Sequence, residues 1–370
     1  MDKVLIKDIA EVVNGSTPST KENSYWDGNI PWITPKDLSA FSGRYISSGE
    51  RNITKEGYQS CSTTLVPKNT ILLTSRAPIG YLAIAKNDLC TNQGFKSLIC
   101  NQSRILPLYM FYWLSTKIEF LKSISGGATF KELSKTSLEN VVMDLPNIVR
   151  QQHIVDIIGT IDDLIENLQS QSINLVKIIS HKVAIFENNN VGNRFSNCFR
   201  CYNGFAFKSS DYTPSGNWKV ITIKNVNDDG FDSTSSSKIE MKDDYVPFKL
   251  NIGDIVLTMT GNVGRVGVVD DHNCLLNQRV LKIMCCSPSY LLGYLITHKN
   301  EIVALGKGTA QKNLSLQELK DLFIHNSENE IARFGKANDD LYAELVLLKM
   351  KIRKLRDMKK ALLSKYFSSN

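Results

Sequence analysis

The side chains best suited to catalysis or metal binding are scattered along this chain of 370 residues. The only C-x-x-C pair is Cys198 with Cys201, whereas a structural zinc site needs four ligands. Glu240 and Lys242 resemble the end of a nuclease motif, but no suitably placed Pro-Asp precedes them. The sequence contains none of the usual glycine-rich phosphate loops or hydrolase signatures. We therefore expect a non-catalytic binding protein without a metal or cofactor of its own.

The polar residues of interest lie in short strings that the chain carries twice. One string reads LTSRAPIG at 73–80 and LTMTGNVG at 257–264. Further matches pair 33–36 with 221–224, 92–93 with 277–278, 107–109 with 288–290, and 127–129 with 308–310. A duplicated module of this kind is suited to contact two similar targets at a fixed distance.

The segments around these strings predict two globular domains of mixed fold. In residues 1–147, short β-branched runs alternate with turn-rich stretches, which is typical of a mostly antiparallel sheet. A helix is predicted from Pro107, since proline fits a first helical position. Residues 191–326 repeat this pattern. We expect two repeated α+β domains with these bounds.

Two long segments, 148–190 and 327–370, have a different pattern. Apolar residues recur there at alternating steps of four and three, which is typical of a coiled-coil seam. Each helix would be about 55 to 60 Å long at about 1.5 Å per residue. If the helices pair antiparallel, the domains lie at opposite ends and are related by a pseudo-twofold axis. The alternative is that they pair with helices of another protein.

Composition constrains partners and location only loosely. The net charge of +7 permits a polyanionic partner without requiring one. The chain has eight cysteines but no secretion-like apolar run after Met1, and no stretch approaches the ~20 apolar residues of a membrane span. We expect a cytoplasmic chain with reduced thiols and no membrane contact.

The strings become specific when they are taken together. VNGSTPS at 13–19, YWDGNIPWITPKDL at 25–38, TNQGFK at 91–96 and QQHIVDII at 151–158 accompany the repeat. In this combination, essentially the whole chain resembles the DNA-specificity subunit of a type I restriction–modification enzyme. The second copy departs from the pattern, because GFAFK at 204–208 replaces the GSTP opening and WKVI at 218–221 replaces PWI.

The resemblance implies a function divided among several subunits. Each globular domain would be a target recognition domain that reads one half of a bipartite sequence in double-stranded DNA. The helices would set the spacer and dock two methyltransferase (modification) subunits, which carry S-adenosylmethionine and methylate adenine. Restriction subunits with ATP- and Mg-dependent motors would complete the complex. Because the two domains differ, an asymmetric target is expected.

Recognition needs side chains that hold phosphates and side chains that read base edges. In the first domain the candidates are Ser16, Thr17, Lys36, Ser75, Arg76, Asn92, Gln93 and Lys131. In the second domain they are Lys208, Lys224, Thr258, Thr260, Asn262, Arg265, Gln278, Arg279 and Lys312. Strings shared by both copies suit the scaffold better than sequence reading, and turn capping is an equally good role for Asn92 and Asn277. The base-reading residues are expected in the unmatched loops 39–55 and 228–244.

Other interpretations fit parts of the same sequence. A duplicated coiled-coil scaffold that binds only proteins is compatible with the repeat. A cryptic nuclease is disfavoured, since no acidic metal site accompanies Lys242. On the distal helix, Lys351, Arg353 and Lys354 form either a solvated face or a contact with the methyltransferase or the DNA backbone.

Overall fold

The computed structural model describes residues 2–39, 41, 43–76, 78–127, 131–187, 193–308 and 312–367. The chain forms two compact units. The first unit comprises residues up to Leu164 together with those from Asp357 onward, and the second comprises Ile165–Arg356. These units differ from the four sequence segments because each long helix contributes one part to each unit.

The first unit is built from short strands with short helices between them. Its strands are β1 (Asp2–Leu5), β2 (Ala10–Asn14), β3 (Trp26–Ile33), β4 (Tyr45–Ile46), β5 (Arg51–Ile53), β6 (Ile71–Thr74), β7 (Leu82–Ala85), β8 (Cys90–Thr91), β9 (Phe95–Cys100) and β10 (Val142–Leu145). Its short helices are α1 (Pro35–Ser39), α2 (Lys55–Gln59), α3 (Pro107–Thr116), α4 (Ile118–Ser123) and α5 (Lys135–Glu139). The larger sheet has the order β2-β9-β6-β7-β4, the smaller one has the order β5-β3-β8, and β1 pairs with β10.

The second unit follows the long helix α6 (Ile148–Phe186) and has a similar set of elements. Its strands are β11 (Asn193–Arg194), β12 (Arg200–Asn203), β13 (Trp218–Ile221), β14 (Val226–Asn227), β15 (Gly230–Phe231), β16 (Lys238–Ile239), β17 (Lys249–Leu250), β18 (Ile255–Thr258), β19 (Val266–Val268), β20 (Cys274–Leu276), β21 (Val280–Met284) and β22 (Phe323–Ile324). Its helices are α7 (Phe195–Cys198), α8 (Pro288–Thr297), α9 (Lys299–Ala304), α10 (Leu316–Lys320) and the long α11 (Glu328–Phe367).

The strand order confirms the predicted repeat. In the first unit β9, β6 and β7 are antiparallel neighbours, and in the second unit β21, β18 and β19 are arranged in the same way. Each unit also pairs two strands in parallel, β3 with β8 and β13 with β20. The small pairs β1–β10 and β11–β22 correspond as well. The fold is therefore α+β and mostly antiparallel, as the β-branched runs predict.

A central apolar helix lies in the core of each unit. In α3 the residues from Tyr109 to Leu114 are all buried, and in α8 those from Ser289 to Leu295 are. A helix that is apolar on all sides needs partners on all sides. The first core combines α3 with Ile154 and Phe367 of the long helices, and the second combines α8 with Val183 and Leu345.

The two long helices pair with each other in opposite directions within each unit. In the first unit, Arg150 of α6 stacks on Tyr366 of α11 at 5.8 Å. Further along α6, Asp162 forms an ion pair with Lys359 of α11, and Oδ1 of the aspartate lies 2.6 Å from the lysine Nζ. In the second unit, the rings of Phe186 and Phe334 lie 5.1 Å apart. The predicted apolar seams are therefore used inside this chain.

Candidate nucleic-acid interface

A buried threonine hydroxyl organises the loop that follows β6. Thr74 Oγ1 donates to the carbonyl of Pro78 at 2.8 Å. The same oxygen accepts from the backbone N–H groups of Gly80 at 3.1 Å and Tyr81 at 2.9 Å. Gly80 has a φ of 109°, which glycine adopts without strain. One hydroxyl therefore closes the loop at three points and holds its two ends together.

The same arrangement recurs after β18 in the second unit. Thr258 Oγ1 donates to the carbonyl of Asn262 and accepts from the backbone N–H of Arg265 at 3.0 Å. Gly264 has a φ of 85° and occupies the position of the first unit's loop glycine. We refer to residues 74–81 and 258–265 as the threonine loops. Their common framework explains why the LT string occurs twice.

The repeated Asn-Gln strings contain turn caps. Asn92 Oδ1 accepts from the backbone N–H of Gly94 at 2.8 Å. Asn277 Oδ1 accepts from the backbone N–H of Arg279 at 3.2 Å. Both asparagines therefore form Asx turns, which is the capping role that the sequence allowed. The glutamine after each asparagine is exposed.

These turns lie against the glycine that opens each repeat. A Cβ on Gly15 would stand 2.2 Å from the carbonyl oxygen of Thr91, and one on Gly204 would stand 2.3 Å from that of Asn277. No real side chain tolerates such a separation, so both positions require glycine. The divergent GFAFK string of the second copy therefore occupies the same place as GSTP in the first.

Two first-unit candidates meet beside this glycine. Thr17 Oγ1 donates to Gln93 Oε1, and Gln93 is exposed. The backbone of Ser16 is held on both sides, since its N–H donates to Thr91 at 3.0 Å and its carbonyl accepts from Trp32 Nε1 at 3.0 Å. Thr17 and Gln93 therefore form a small polar group next to a backbone that is held in place at Ser16.

Arg76, at the tip of the first threonine loop, belongs to a charged cluster. Its Nη1 lies 3.8 Å from Glu132, and Lys96 Nζ lies 3.4 Å from the same carboxylate. Lys131, directly before Glu132, is exposed. Lys96 and Glu132 are not among the residues predicted from the sequence. A signal existed for Lys96, because it is a charged residue inside an apolar strand and is only 7% exposed.

Lys36 and Lys224 lie in equivalent turns. Asp37 Oδ2 accepts from the backbone N–H of the threonine three residues earlier at 2.7 Å, and Asn225 Oδ1 does so at 2.9 Å. Both lysines are exposed. Lys36 forms an exposed ion pair with Glu50 at 2.6 Å, whereas Lys224 has no ion pair with the residues that the structure describes. The two lysines therefore share a support but not a partner.

In the second unit Arg265 is held by an acid of the unmatched loop 228–244. Its Nη2 lies 2.5 Å from Asp228 Oδ2, and Lys299 lies 3.3 Å from Oδ1 of the same carboxylate. The hydrogen bond from Arg265 lowers the pKa of Asp228, and Lys299 adds to this effect. Arg265 therefore anchors the loop that was predicted to read bases.

The remaining second-unit candidates reach the surface. Thr260 is partly buried, and its backbone bridges to Asn313 beside Lys312. The exposed candidates are Lys208, Asn262, Gln278, Arg279 and Lys312. Thr260, Asn262 and Lys312 are brought together by the threonine loop, whereas Lys208 lies on the GFAFK segment.

The comparisons with known proteins agree with this repeated geometry. A family model described as the type I restriction modification DNA specificity domain matches residues 1–177 and 197–326. The chain belongs to this family.

Individual relatives match this chain over different lengths. The specificity subunit of the type I restriction enzyme MjaIX from Methanocaldococcus jannaschii is 53% identical over 175 residues, which cover 47% of this chain and 40% of that relative. The MjaVIII specificity subunit of the same organism is 24% identical over 362 residues, covering 87% of this chain and 81% of that relative. The chain thus spans less than half the length of the first of these relatives.

A solved structure shares the fold of this chain. The crystal structure of the type I restriction–modification S subunit from M. genitalium covers 100% of this chain and 96% of its own, with a TM-score of 0.57 and 15% sequence identity. At this level of identity the likeness concerns the fold, including its two repeated domains.

Burial corrects two predicted DNA contacts. Ser75 and Thr258 are each 0% exposed. The Thr258 hydroxyl is used in the hydrogen bonds that close the second threonine loop. The Ser75 hydroxyl is buried and forms no hydrogen bond with the described residues. Met259 occupies the place of Ser75 in the second unit and is also buried. Neither hydroxyl is available to a phosphate or a base in this structure.

Arg353 on the distal helix is also an internal residue. Its Nε donates to Asp270 at 2.8 Å and its Nη1 donates to Ser233 at 3.0 Å. Burial raises the pKa of Asp270 in spite of the neighbouring guanidinium. The three predicted basic residues therefore have different roles. Arg353 attaches α11 to the second domain, whereas Lys351 and Lys354 are exposed to solvent.

Among the described residues, no group of three or more His, Cys, Asp or Glu side chains is arranged to hold a metal ion. Within the same residues, no helix is both long and apolar enough to cross a bilayer.

Proposed function

We propose that this chain selects the DNA sequence for a type I restriction–modification enzyme, each domain reading one half of an asymmetric bipartite target. The observation that carries the proposal is the pair of threonine loops. The threonine hydroxyls share two hydrogen bonds, one to the carbonyl four residues later and one from the backbone N–H seven residues later, yet the first loop has Arg76 where the second has Thr260. Two readers of different half-sites need such a common support with different exposed side chains.

The exposed candidates divide into two chemical groups. Side chains of both groups can contact phosphates or base edges. We assign the charged ones to phosphates, which supply affinity, and the amides and hydroxyls to base edges. The proposed phosphate contacts are Lys36, Arg76 and Lys131 in the first domain, and Lys208, Lys224, Arg279 and Lys312 in the second. The proposed base-edge contacts are Thr17 and Gln93 in the first, and Thr260, Asn262 and Gln278 in the second. Ser16 and Asn92 support the first group, and Arg265 supports the loop 228–244.

The remaining chemistry belongs to partner subunits. In this proposal the long helices dock two methyltransferase subunits, which bind S-adenosylmethionine and methylate adenine at N6. Restriction subunits supply the ATP- and Mg-dependent steps. The specificity chain itself is non-catalytic, holds no cofactor and works in the cytoplasm.

The proposal is tested by mapping methylated adenines in cells that contain the chain and its modification subunits. Gln93→Ala should relax the motif in one half only, and Gln278→Ala should relax it in the other half only. A lost base contact costs roughly 1 to 3 kcal/mol of discrimination at its position. Each variant is the control for the other, because the two glutamines occupy equivalent exposed positions beside Asx turns.

The lysines should behave differently from the glutamines. Lys131→Ala and Lys312→Ala should weaken DNA binding by the purified complex without changing the motif. Each should also reduce the slope of log K against log salt by about one. If the chain co-purifies with its partners but the complex neither binds DNA nor methylates it, the protein-only scaffold is the better account.

A further inference from the structure

The second unit contains a cavity of about 240 Å³ next to the end of its threonine loop. Its wall is formed by the β14–β15 turn, by β19, by α8 and by one side chain from each long helix. The side chain from α11 is Lys349, and that from α6 is Val176. All of these elements belong to the same compact unit. The side chains proposed above as direct DNA contacts do not line this cavity, whereas Arg265 and the first residues of the loop 228–244 do.

Lys349 has an unusual environment within this cavity. Its ammonium forms no hydrogen bond and no ion pair with the residues that the structure describes. A Cβ on Gly230 would stand 3.5 Å from Lys349 Nζ, so the ammonium lies against the open backbone of the β14–β15 turn. The carboxylate that acts on it electrostatically, Asp270, is already bound by Arg353. Burial lowers the pKa of the Lys349 ammonium, as expected for a poorly compensated cation.

The other charges of the cavity leave one positive charge without a partner. The lining contains Arg265, Lys299 and Lys349 together with Asp228 and Asp229. Asp228 is shared by Arg265 and Lys299, so neither is as free as Lys349. An excess of one positive charge matches a ligand with a single negative charge. A phosphate dianion fits less well, because it would also face the carboxylate of Asp229.

Apart from Asn227, the remaining side chains of the wall are apolar. Val176, Val268, Leu292 and Ile296 line the cavity beside the charged groups. Ligand sites commonly combine such an apolar wall with a few charged groups that orient the ligand. The volume is below the roughly 300 Å³ at which drug-sized sites begin, so the occupant should be small.

We propose that this cavity binds a small organic monocarboxylate, with its carboxylate on the Lys349 ammonium and its aliphatic or aromatic tail against α8 and β19. The site belongs to the second unit alone. At the corresponding places the first unit has Tyr81 after its loop glycine and Ile118 as the first residue of α4, where the second has Arg265 and Lys299. The proposal does not rest on the proposed function in DNA recognition.

The test uses the purified full-length chain without DNA. Thermal shift and isothermal titration calorimetry are performed with hexanoate and benzoate as probes, and with 1-hexanol and inorganic phosphate as comparisons. Hexanoate or benzoate should raise Tm and bind, and Lys349→Met should weaken that binding at least about tenfold, as for loss of a charge-assisted hydrogen bond. The matched control is Lys351→Met, which changes an exposed lysine of the same helix and should bind as the wild type does.

A stability measurement separates the ligand site from a purely structural role. Without ligand, Lys349→Met should unfold at the same or a higher temperature, because it removes a poorly paired cation from a mostly desolvated place. The proposal is overturned if neither carboxylate binds, if 1-hexanol or phosphate binds as tightly, or if Lys349→Met keeps wild-type affinity. A lower Tm of ligand-free Lys349→Met with unchanged carboxylate affinity would assign Lys349 to the fold instead.

Discussion

In the first unit the threonine loop carries Arg76, whose guanidinium lies 3.8 Å from Glu132. In the second unit the equivalent residue is Thr260, and Asn313 takes the place of Glu132. The hydroxyl below each loop is unchanged. Residues that the copies share are therefore mostly internal supports, with the exposed Gln93 and Gln278 as exceptions, and residues that differ are mostly exposed. Specificity is expected to reside in the exposed side chains.

The ends of the long helices give a second comparison. In the first unit Lys117, the residue after α3, donates to the carbonyl of Phe367 at 3.2 Å and so holds the end of α11. In the second unit His298, the residue after α8, lies 2.8 Å from Glu187 at the end of α6. The same position thus performs the same attachment with a different side chain. The attachment of α6 in the second unit depends on the imidazole of His298, whereas that of α11 in the first unit depends on the ammonium of Lys117.

The largest effect is expected from the attachment of α11 to the second domain. Arg353→Met should destabilise that unit by about 3 kcal/mol or more, because it leaves Asp270 buried without its ion-pair partner. Hydrogen exchange measured by mass spectrometry would localise the loss to residues 165–356. Lys351→Met is the matched control and should change stability by less than about 0.5 kcal/mol. Equal effects of the two changes would contradict the internal role of Arg353.

A smaller effect is expected from the threonine hydroxyls. Thr74→Val and Thr258→Val keep the shape of the side chain but leave backbone groups of the loop without their partner. Each should cost roughly 2 kcal/mol in urea unfolding and loosen only its own loop. The control Thr260→Val lies two residues further along the second loop and should leave stability nearly unchanged. If Thr258→Val were as mild as Thr260→Val, the hydroxyl would not be what holds the loop.

The smallest effect depends on pH. The hydrogen bond with Glu187, aided by Glu301, raises the pKa of His298 to about 9 despite burial. A raised pKa stabilises the folded state fully below about pH 6.5, the ordinary value, and this contribution is lost as pH rises towards 9. His298→Gln should therefore cost ~1 kcal/mol near pH 6 and almost nothing above pH 9.

The equivalent change in the first unit provides the control for this pH dependence. Lys117→Gln removes the corresponding attachment without removing an imidazole, so its penalty should be similar near pH 6 and near pH 8. Denaturant unfolding of both variants across this range makes the comparison. A penalty for His298→Gln that does not change with pH would show that its pairing with Glu187 does not stabilise the unit.

Most of the architecture could be predicted from the sequence because it depends on periodicity and repetition. The apolar steps of four and three marked both long helices, and the doubled strings marked both domains. The direction of individual side chains could not be predicted in this way. Ser75 and Arg76 are neighbours in one string, yet the first is buried and the second reaches the surface. Their separation depends on how the loop closes around Thr74.

Other misses arose from contacts between distant parts of the sequence. Arg353 follows a seam position, and its spacing is typical of a solvated face, but it donates to Asp270, two residues after the end of β19. Lys96 was overlooked because its partner, Glu132, lies in a different string. Pairing of this kind is set by tertiary packing and leaves no periodic trace in the sequence. The sequence offered one signal for Lys96, which is its charge within the apolar strand β9.

Independent reading by the two domains is tested most directly by a domain exchange. Residues 1–147 are replaced by the first recognition domain of another specificity protein with a different target, and methylated adenines are mapped in cells that supply the modification subunits. The predicted result is a new motif that differs from the original in one half and keeps the other half and the spacing. Methylation of a motif changed in both halves, or in neither, would contradict the account.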